Sequence, residues 1–491
     1  MIHRNRHCAA AILLAGFLAA GVASAAPPDR PAANSCLVDV APSADTASMS
    51  LEVTFTCAAG GTLSLRANST MAASFVAAVT DRAGRRLEPD GRVWQVPADA
   101  DGIAKATYRF ELDAFLDQTN SDRVGMRRGG IRALLLEGWL MQPLARDRLL
   151  PMAIAVNLPT GQRFLSGLKQ ANGRFVLDDT PVRFAGYSVF GAFEPLVVPV
   201  PSPPSKPSVP AHIDLVMLDA DYSATKDQYA AWVQQSARAI ATYFDGFSSL
   251  QTLIVVFPVR GSDIDYGRVV PGGGVTMILR AGTGEKARDL YDEWVLIHEM
   301  IHTAAPFVEG RGTWLMEGMA TYIEPIIRSR VGWKSEDDVW REWLTNMPRG
   351  IGALAESGLS ANSSHAGYYW GGALFLLLSD IEMRRASHNK FGLEDCLRAI
   401  LKNGGNAATR TTVDDMIGAC DKAVGGSTMH DLAERYVYKA TPVDLMALWH
   451  SLGVELVDGK VIYHDDAPLA GIRKVIVRGV RPPALVPMGP A

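Results

Sequence analysis

The residues His298, Glu299 and His302 in "WVLIHEMIHTAA" are of the types that hold a metal ion and move a proton. In a helix, positions i and i+4 share a face, so both imidazoles can reach one ion while Glu299 stands beside them as a base for water. Two imidazoles do not complete such a site. Catalytic zinc usually takes three protein ligands and keeps one position open. Beyond His302, in "TWLMEGMATYIE", comes Glu317, the expected third ligand. That segment also reads as a helix, with Thr313 as a cap and Pro325 as its end or kink. Glu324 falls two turns past Glu317 on the same face, where it either orients a liganding histidine or is a surface carboxylate. The helix around the two histidines is strongly apolar, and an uncompensated glutamate there would be costly to bury, which a metal would resolve.

The elements that must position these residues divide the chain into segments. "MIHRNRH", then the apolar "CAAAILLAGFLAAGVA", then Ala23, Ser24 and Ala25 form a basic, an apolar and a small-residue cleavage region, so residues 1–25 are expected to be a signal peptide. Export to the periplasm or beyond the cell follows. Cys8 precedes the apolar run and gives no lipid-anchor signal. Four further cysteines suit an oxidising compartment, and their spacing suggests two local disulfides, Cys36 with Cys57 and Cys396 with Cys420. Residues 26–194 show a period of two, as in "LEVTFTC" and "TYRFEL", and read as a β-rich domain. The proline-rich 195–210 reads as an extended connector.

Residues 211–332 alternate strands ("HIDLVMLDADY", "LQTLIVVFP", "PGGGVTMILR") with the helical "KDQYAAWVQQSARAIATYF" and form the α/β unit that carries the metal helix. Residues 333–452 turn helical, with starts at Ser335 with Asp338, Thr412 with Asp415, and Thr441 with Pro442 and Asp444. Residues 453–491 hold a hairpin with an Asp-Gly turn in "VELVDGKVIYH", then a tail. The fold class is thus multidomain α+β.

Composition narrows the function. With 491 residues, 48% hydrophobic, and Lys+Arg 48 against Asp+Glu 52, the chain is that of a soluble globular protein with no polyanion-binding bias. The most basic stretch, "IRKVIVRGVRPP", alternates with apolar residues like a strand, so no nucleic-acid partner is expected. Beyond the signal, apolar runs such as "GGALFLLL" are too short to span a bilayer.

The pair "HEMIH" and "WLMEGMATYIE" resembles the gluzincin metallopeptidases, in which a Glu in a W-L-x-E-G segment completes the zinc site. "GYYWGGALFLLLSDIEMRR" is similar to that family's Tyr-x-x-Gly-Ala segment. It matches Tyr369 with Gly372 and Ala373, and Tyr368 is the alternative. Within the group the chain is most similar to the glycyl aminopeptidase family, including "LPTGQRFLSG" and "DDTPVRFAGYSVFGAFE" in the β-rich part. The resemblance implies a thermolysin-like catalytic domain, one Zn2+ per chain held by His298, His302 and Glu317, Glu299 as general base, Tyr369 as donor to the transition-state oxygen, and a peptide or protein substrate. The chain departs from the family in a shorter interval from His302 to Glu317. Gluzincin aminopeptidases also carry an amine-binding Glu in a Gly-rich strand, and "PGGGVTMILR" has no acidic residue. Its Gly273 and Gly274 would still let a peptide lie alongside as an added strand. The alternatives are a zinc hydrolase of another amide or ester, or an envelope binding protein with a relic metal site.

Overall fold

In the strand Leu51–Ala58 the alternating Leu51, Val53, Phe55 and Cys57 are buried while Glu52 stays exposed, which is the pattern a half-covered sheet requires. Its antiparallel partner Cys36–Pro42 sets Cys36 directly opposite Cys57, and the two form a disulfide. The computed structural model describes residues 30–479 apart from 44, 46 and 179, so the expected signal segment 1–25 and the end of the chain lie outside the described residues. Residues up to Gly191 build three sheets around one core in which Phe55, Tyr108, Phe115, Trp139 and Phe190 pack.

A five-stranded sheet follows, in the spatial order Leu196–Val200, Ala211–Met217, Gln251–Val259, Thr276–Gly282, Ile264–Val270. Both faces of its middle strands are covered. Ile254 and Val256 meet the helix Lys226–Phe244 and the metal-motif helix, while Leu253, Val255 and Phe257 meet Ala133, Tyr187 and Val189 of the preceding unit. Burial on both faces explains the unbroken run "LIVVF", which an exposed sheet would interrupt. The proline-rich stretch is not wholly a free connector: Leu196–Val200 joins the sheet antiparallel to Ala211–Met217. It does so at an edge, where Pro199 can lack a donor without breaking a ladder. The opposite edge, Ile264–Val270, was not apparent as a strand in the sequence.

Helices Val295–Thr303, Thr313–Arg330, Glu336–Asn346, Gly372–Ala386, Leu393–Lys402, Val413–Val424 and Leu445–Leu452 share with the sheet one apolar core that runs from Val198 to Val477. The disulfide Cys396–Cys420 ties two of these helices together. Ser335 and Thr412 cap their helices by accepting from the amides of Asp338 and Asp415. At the third expected start the cap is Asp444, not Thr441. Thr313 is the first residue of its helix, after Gly312, and Pro325 lies within that helix, which continues to Arg330. The hairpin Val454–Val457 with Lys460–Tyr463 is present.

The expectation of a strand in "IRKVIVRGVRPP" is corrected: Ala470–Arg478 is a helix. Ala470, Ile472, Arg473, Ile476 and Val477 are its buried residues, a spacing nearer to 3.6 than to 2. Two of its last carbonyls, on Ile476 and Val477, accept from the Arg330 guanidinium, a tertiary contact that local alternation cannot reveal. No helix among the described residues is long and apolar enough to cross a membrane.

Candidate metal centre

The helix Val295–Thr303 is buried almost all round and presents His298 and His302 on one face. Helix Thr313–Arg330 packs against it and brings Glu317 over both rings. His298 Nε2 lies 3.3 Å and His302 Nε2 3.5 Å from the same oxygen, Glu317 Oε2. Direct charge-assisted hydrogen bonds would close to about 2.7–2.9 Å. Donors set about 2.0–2.1 Å from a tetrahedral zinc stand about 3.3 Å apart along the tetrahedron's edge, so the observed spacing fits a zinc ion better than a simple ion pair. The Glu299 carboxylate also lies within 4.8 Å of the imidazole nitrogens. The Glu299 side chain runs directly beneath Gly267 of the edge strand, and Glu317, whose oxygen both histidines approach, is the third donor.

The charges agree with that division. Burial would raise the Glu317 carboxyl, but the two histidines bonded to it more than reverse this and hold it well below the ordinary carboxylate range. Burial pulls His298 down, with Glu317 only partly opposing. Burial would lower His302 as well, yet the Glu317 and Glu299 carboxylates outweigh it, and it sits above its ordinary value. Glu299 is pushed up to about 7, chiefly by burial, with His302, the Val269 amide and Arg268 opposing.

Tyr369 comes from a π-helical turn, Gly367–Gly371, at the head of helix Gly372–Ala386. Such wider turns recur where a side chain must be re-aimed. Its ring stacks 4.3 Å from His365 and 6.1 Å from His298, and its hydroxyl reaches the Glu317 carboxylate. Burial and that carboxylate both push the phenol above its ordinary value, so it stays protonated as a donor. Tyr368, the alternative, packs against the apolar core. The helices carrying Glu317 and Tyr369 meet at Gly318 and Gly372, where a Cβ on either residue would overlap the other helix's backbone. This is the physical reason a glycine follows the glutamate in one motif and the tyrosine in the other.

These groups line a cavity of about 230 Å³ with Tyr266, Gly267, Arg268, Val269, Pro271, Ala305, Pro306, Phe307, Met316, Met319 and Ala407. Its wall is the edge strand Ile264–Val270. A Cβ at Gly267 would overlap Glu299 Cγ, so this glycine lets the strand pass directly over the carboxylate. The expectation for Gly273 and Gly274 is corrected. Both lie in the turn after the edge strand and pack on the preceding unit, Gly274 bridging to Leu168, away from the cavity. Glu324 is corrected too: it is neither at the surface nor turned to a histidine. It is buried and paired with Arg328 at 3.1 Å, and Arg328 also donates to the Tyr291 and Asp292 carbonyls, tying this helix to the segment that leads into the metal helix. Gly267 and Arg268 escaped the sequence reading, although a glycine inside "DYGRVV" is the kind of signal that marks close backbone approach.

No protein-family model matches the sequence, and no curated protein is similar to it. Solved structures are similar in fold. An aminopeptidase N family protein from Idiomarina loihiensis superposes with a TM-score of 0.62 at 15% identity, covering 85% of this chain and 78% of that one. The M1 zinc metallopeptidase from Deinococcus radiodurans gives a TM-score of 0.48 at 14% identity, over 83% of this chain and 94% of that one. A variant of that enzyme bound to a Tyr-Ser-Ala substrate gives 0.49 at 14% identity, over the same shares. The chain therefore has the multidomain α+β fold of the Idiomarina aminopeptidase N family protein, with the His298, His302 and Glu317 cluster set beside an open sheet edge.

Proposed function

We propose that the protein is a zinc-dependent peptide hydrolase of gluzincin type. The observation that carries this reading is the approach of His298 and His302 to one oxygen of Glu317 at 3.3 and 3.5 Å, with Glu299 and Tyr369 in the same cavity. His298, His302 and Glu317 hold one zinc ion, which when bound supplies a Lewis acid and brings the pKa of water toward ~7. Glu299, packed beneath Gly267, takes the proton from the attacking water and returns it to the leaving amine. Tyr369 donates a hydrogen bond to the oxyanion as it forms. The edge strand Ile264–Val270 offers free backbone groups along which an extended peptide can pair, the role first assigned to the following glycines. Apolar Phe307, Met316 and Met319 exclude water from one side.

The glycyl aminopeptidase likeness and a thermolysin-like catalytic unit remain part of this reading, supported by the motif order. Export to the periplasm or beyond is supported by residues 1–25 and by two disulfides, which persist in oxidising compartments. The test is metal content and turnover of the mature protein. Wild type should bind about one zinc per chain and cleave a peptide library. Glu299→Gln should keep the zinc and lose turnover about 10²–10⁴-fold. Full activity in that variant would remove Glu299 as the base, and a wild type that binds no zinc would remove the proposal itself.

A further inference from the structure

A peptidase that acts near a chain end must recognise the charge that end carries. The cavity's two carboxylates, Glu299 and Glu317, are both engaged at the metal centre, so no acid lining it is spare for an α-ammonium group. The arginine that lines it is Arg268, on the edge strand beside Gly267. Strand side chains alternate, so Arg268 leaves the strand on the face opposite the one over Glu299, toward the N-terminal unit. There Glu137, on the short turn Leu136–Gly138, feels the charges of Arg268 and Arg183. Arg268 is half-buried, and no carboxylate among the described residues lies within ion-pair distance of it. Asp122 and Arg123 act on Tyr266 beside it as well, so the surrounding charges are mixed. What favours an anion here is that Arg268 lines the cavity with no ion pair of its own among the described residues. A planar guanidinium offers paired donors that match a carboxylate in a bidentate fork.

We propose that Arg268 anchors the substrate by a carboxylate, either the C-terminal α-carboxylate of a short peptide or an acidic side chain close to the scissile bond. The inference rests on the peptidase reading for what is anchored, and on the cavity alone for the anion site. Recognition then runs through a negative group of the substrate, and a free amino terminus is not required.

Binding to the mature Glu299→Gln protein tests this without turnover, by calorimetry with four probes: Ala-Ala-Ala as free acid and as amide, and the amides of Ala-Glu-Ala and Ala-Gln-Ala. Loss of one charge-assisted bond of about 1.5–3 kcal/mol corresponds to a weakening of roughly 10–150-fold. The expected result is a preference of that size for the acid of the first pair, or for Glu in the second, and the pair that discriminates identifies the source of the carboxylate. Adding Arg268→Gln should erase the preference, and Arg268→Lys should restore part of it. N-acetylation of the preferred probe should leave binding unchanged. The proposal is overturned if no probe binds, if neither pair discriminates, or if Arg268→Gln weakens both members of a pair equally. A preference that depends on Arg268, in a protein whose wild type cleaves none of the probes, would keep the anion site and remove the peptidase reading.

Discussion

Helix Thr313–Arg330 carries two clusters of charge that are built on opposite principles. Near its start, Glu317 meets two histidines at 3.3 and 3.5 Å, longer than tight charge-assisted hydrogen bonds, and lines an open cavity. At its far end, Arg330 pairs with the buried Glu394. Arg384 lies 2.9 Å from Asp380, and the Tyr322 hydroxyl donates to Asp380 at 2.8 Å. Both glutamates are held below the ordinary carboxylate value against the cost of burial. The first does so with groups that can also take a metal, the second with arginines that can only pair. The difference separates a cluster arranged for an ion and a substrate from one arranged to join helices. A perturbed carboxylate alone would not tell the two apart.

Removing the carboxylate from each cluster should break the comparison most sharply. Glu317→Ala should abolish metal binding and activity. In chelator, its unfolding midpoint in denaturant should move less than that of Glu394→Ala. Glu394→Ala removes the buried carboxylate that pairs with Arg330, while Arg384 keeps Asp380, and should cost about 3–5 kcal/mol, with zinc per chain unchanged. If Glu394→Ala instead lost zinc with its fold intact, the two clusters would be one functional unit. Tyr369→Phe should sharpen the picture within the first cluster, lowering kcat about 10²–10³-fold with metal content and KM little altered. An unchanged kcat would leave Tyr369 only a packing role.

The smallest effect concerns acid. Burial would raise Glu394, but Arg330, Arg384 and Arg398 outweigh it, so its folded pKa lies below the ordinary 4.5. Such a group contributes stability that is fully present above 4.5 and is lost as pH falls through the lower folded value. The unfolding midpoint of metal-free wild type should therefore drop as pH is lowered below that point. Glu394→Gln, less stable at neutral pH, should show a shallower drop, and equal slopes in the two proteins would exclude this pair as a source of acid sensitivity.

Much of the candidate site was legible because its chemistry is local. His298, Glu299 and His302 fall within one helical turn and a half, and Glu317 with Gly318 and Tyr369 with Gly372 stand in short motifs. Cys36 and Cys57 were legible as well, since neighbouring strands of a hairpin set them opposite each other. Glu324 was misread because its partner Arg328, one turn on, turns the carboxylate into a structural tie rather than a metal support. Gly273 and Gly274 drew attention as the conspicuous glycines, while the glycine beside the carboxylate was Gly267.

The sequence by itself determined the residue types, the helical phase of the two histidines, and the alternating strands of the β-rich part, because these depend on periods of 3.6 and 2 within a few residues. Tertiary structure alone decided that Ile264–Val270 is the edge strand over Glu299, that Arg268 lines the cavity with no ion pair among the described residues, and that Arg330 finds Glu394 and the helix Ala470–Arg478. Each of those outcomes depends on which distant surface a segment meets. Strand order, close helix crossings and ion pairs far apart in the chain leave no periodic trace in the residues that make them.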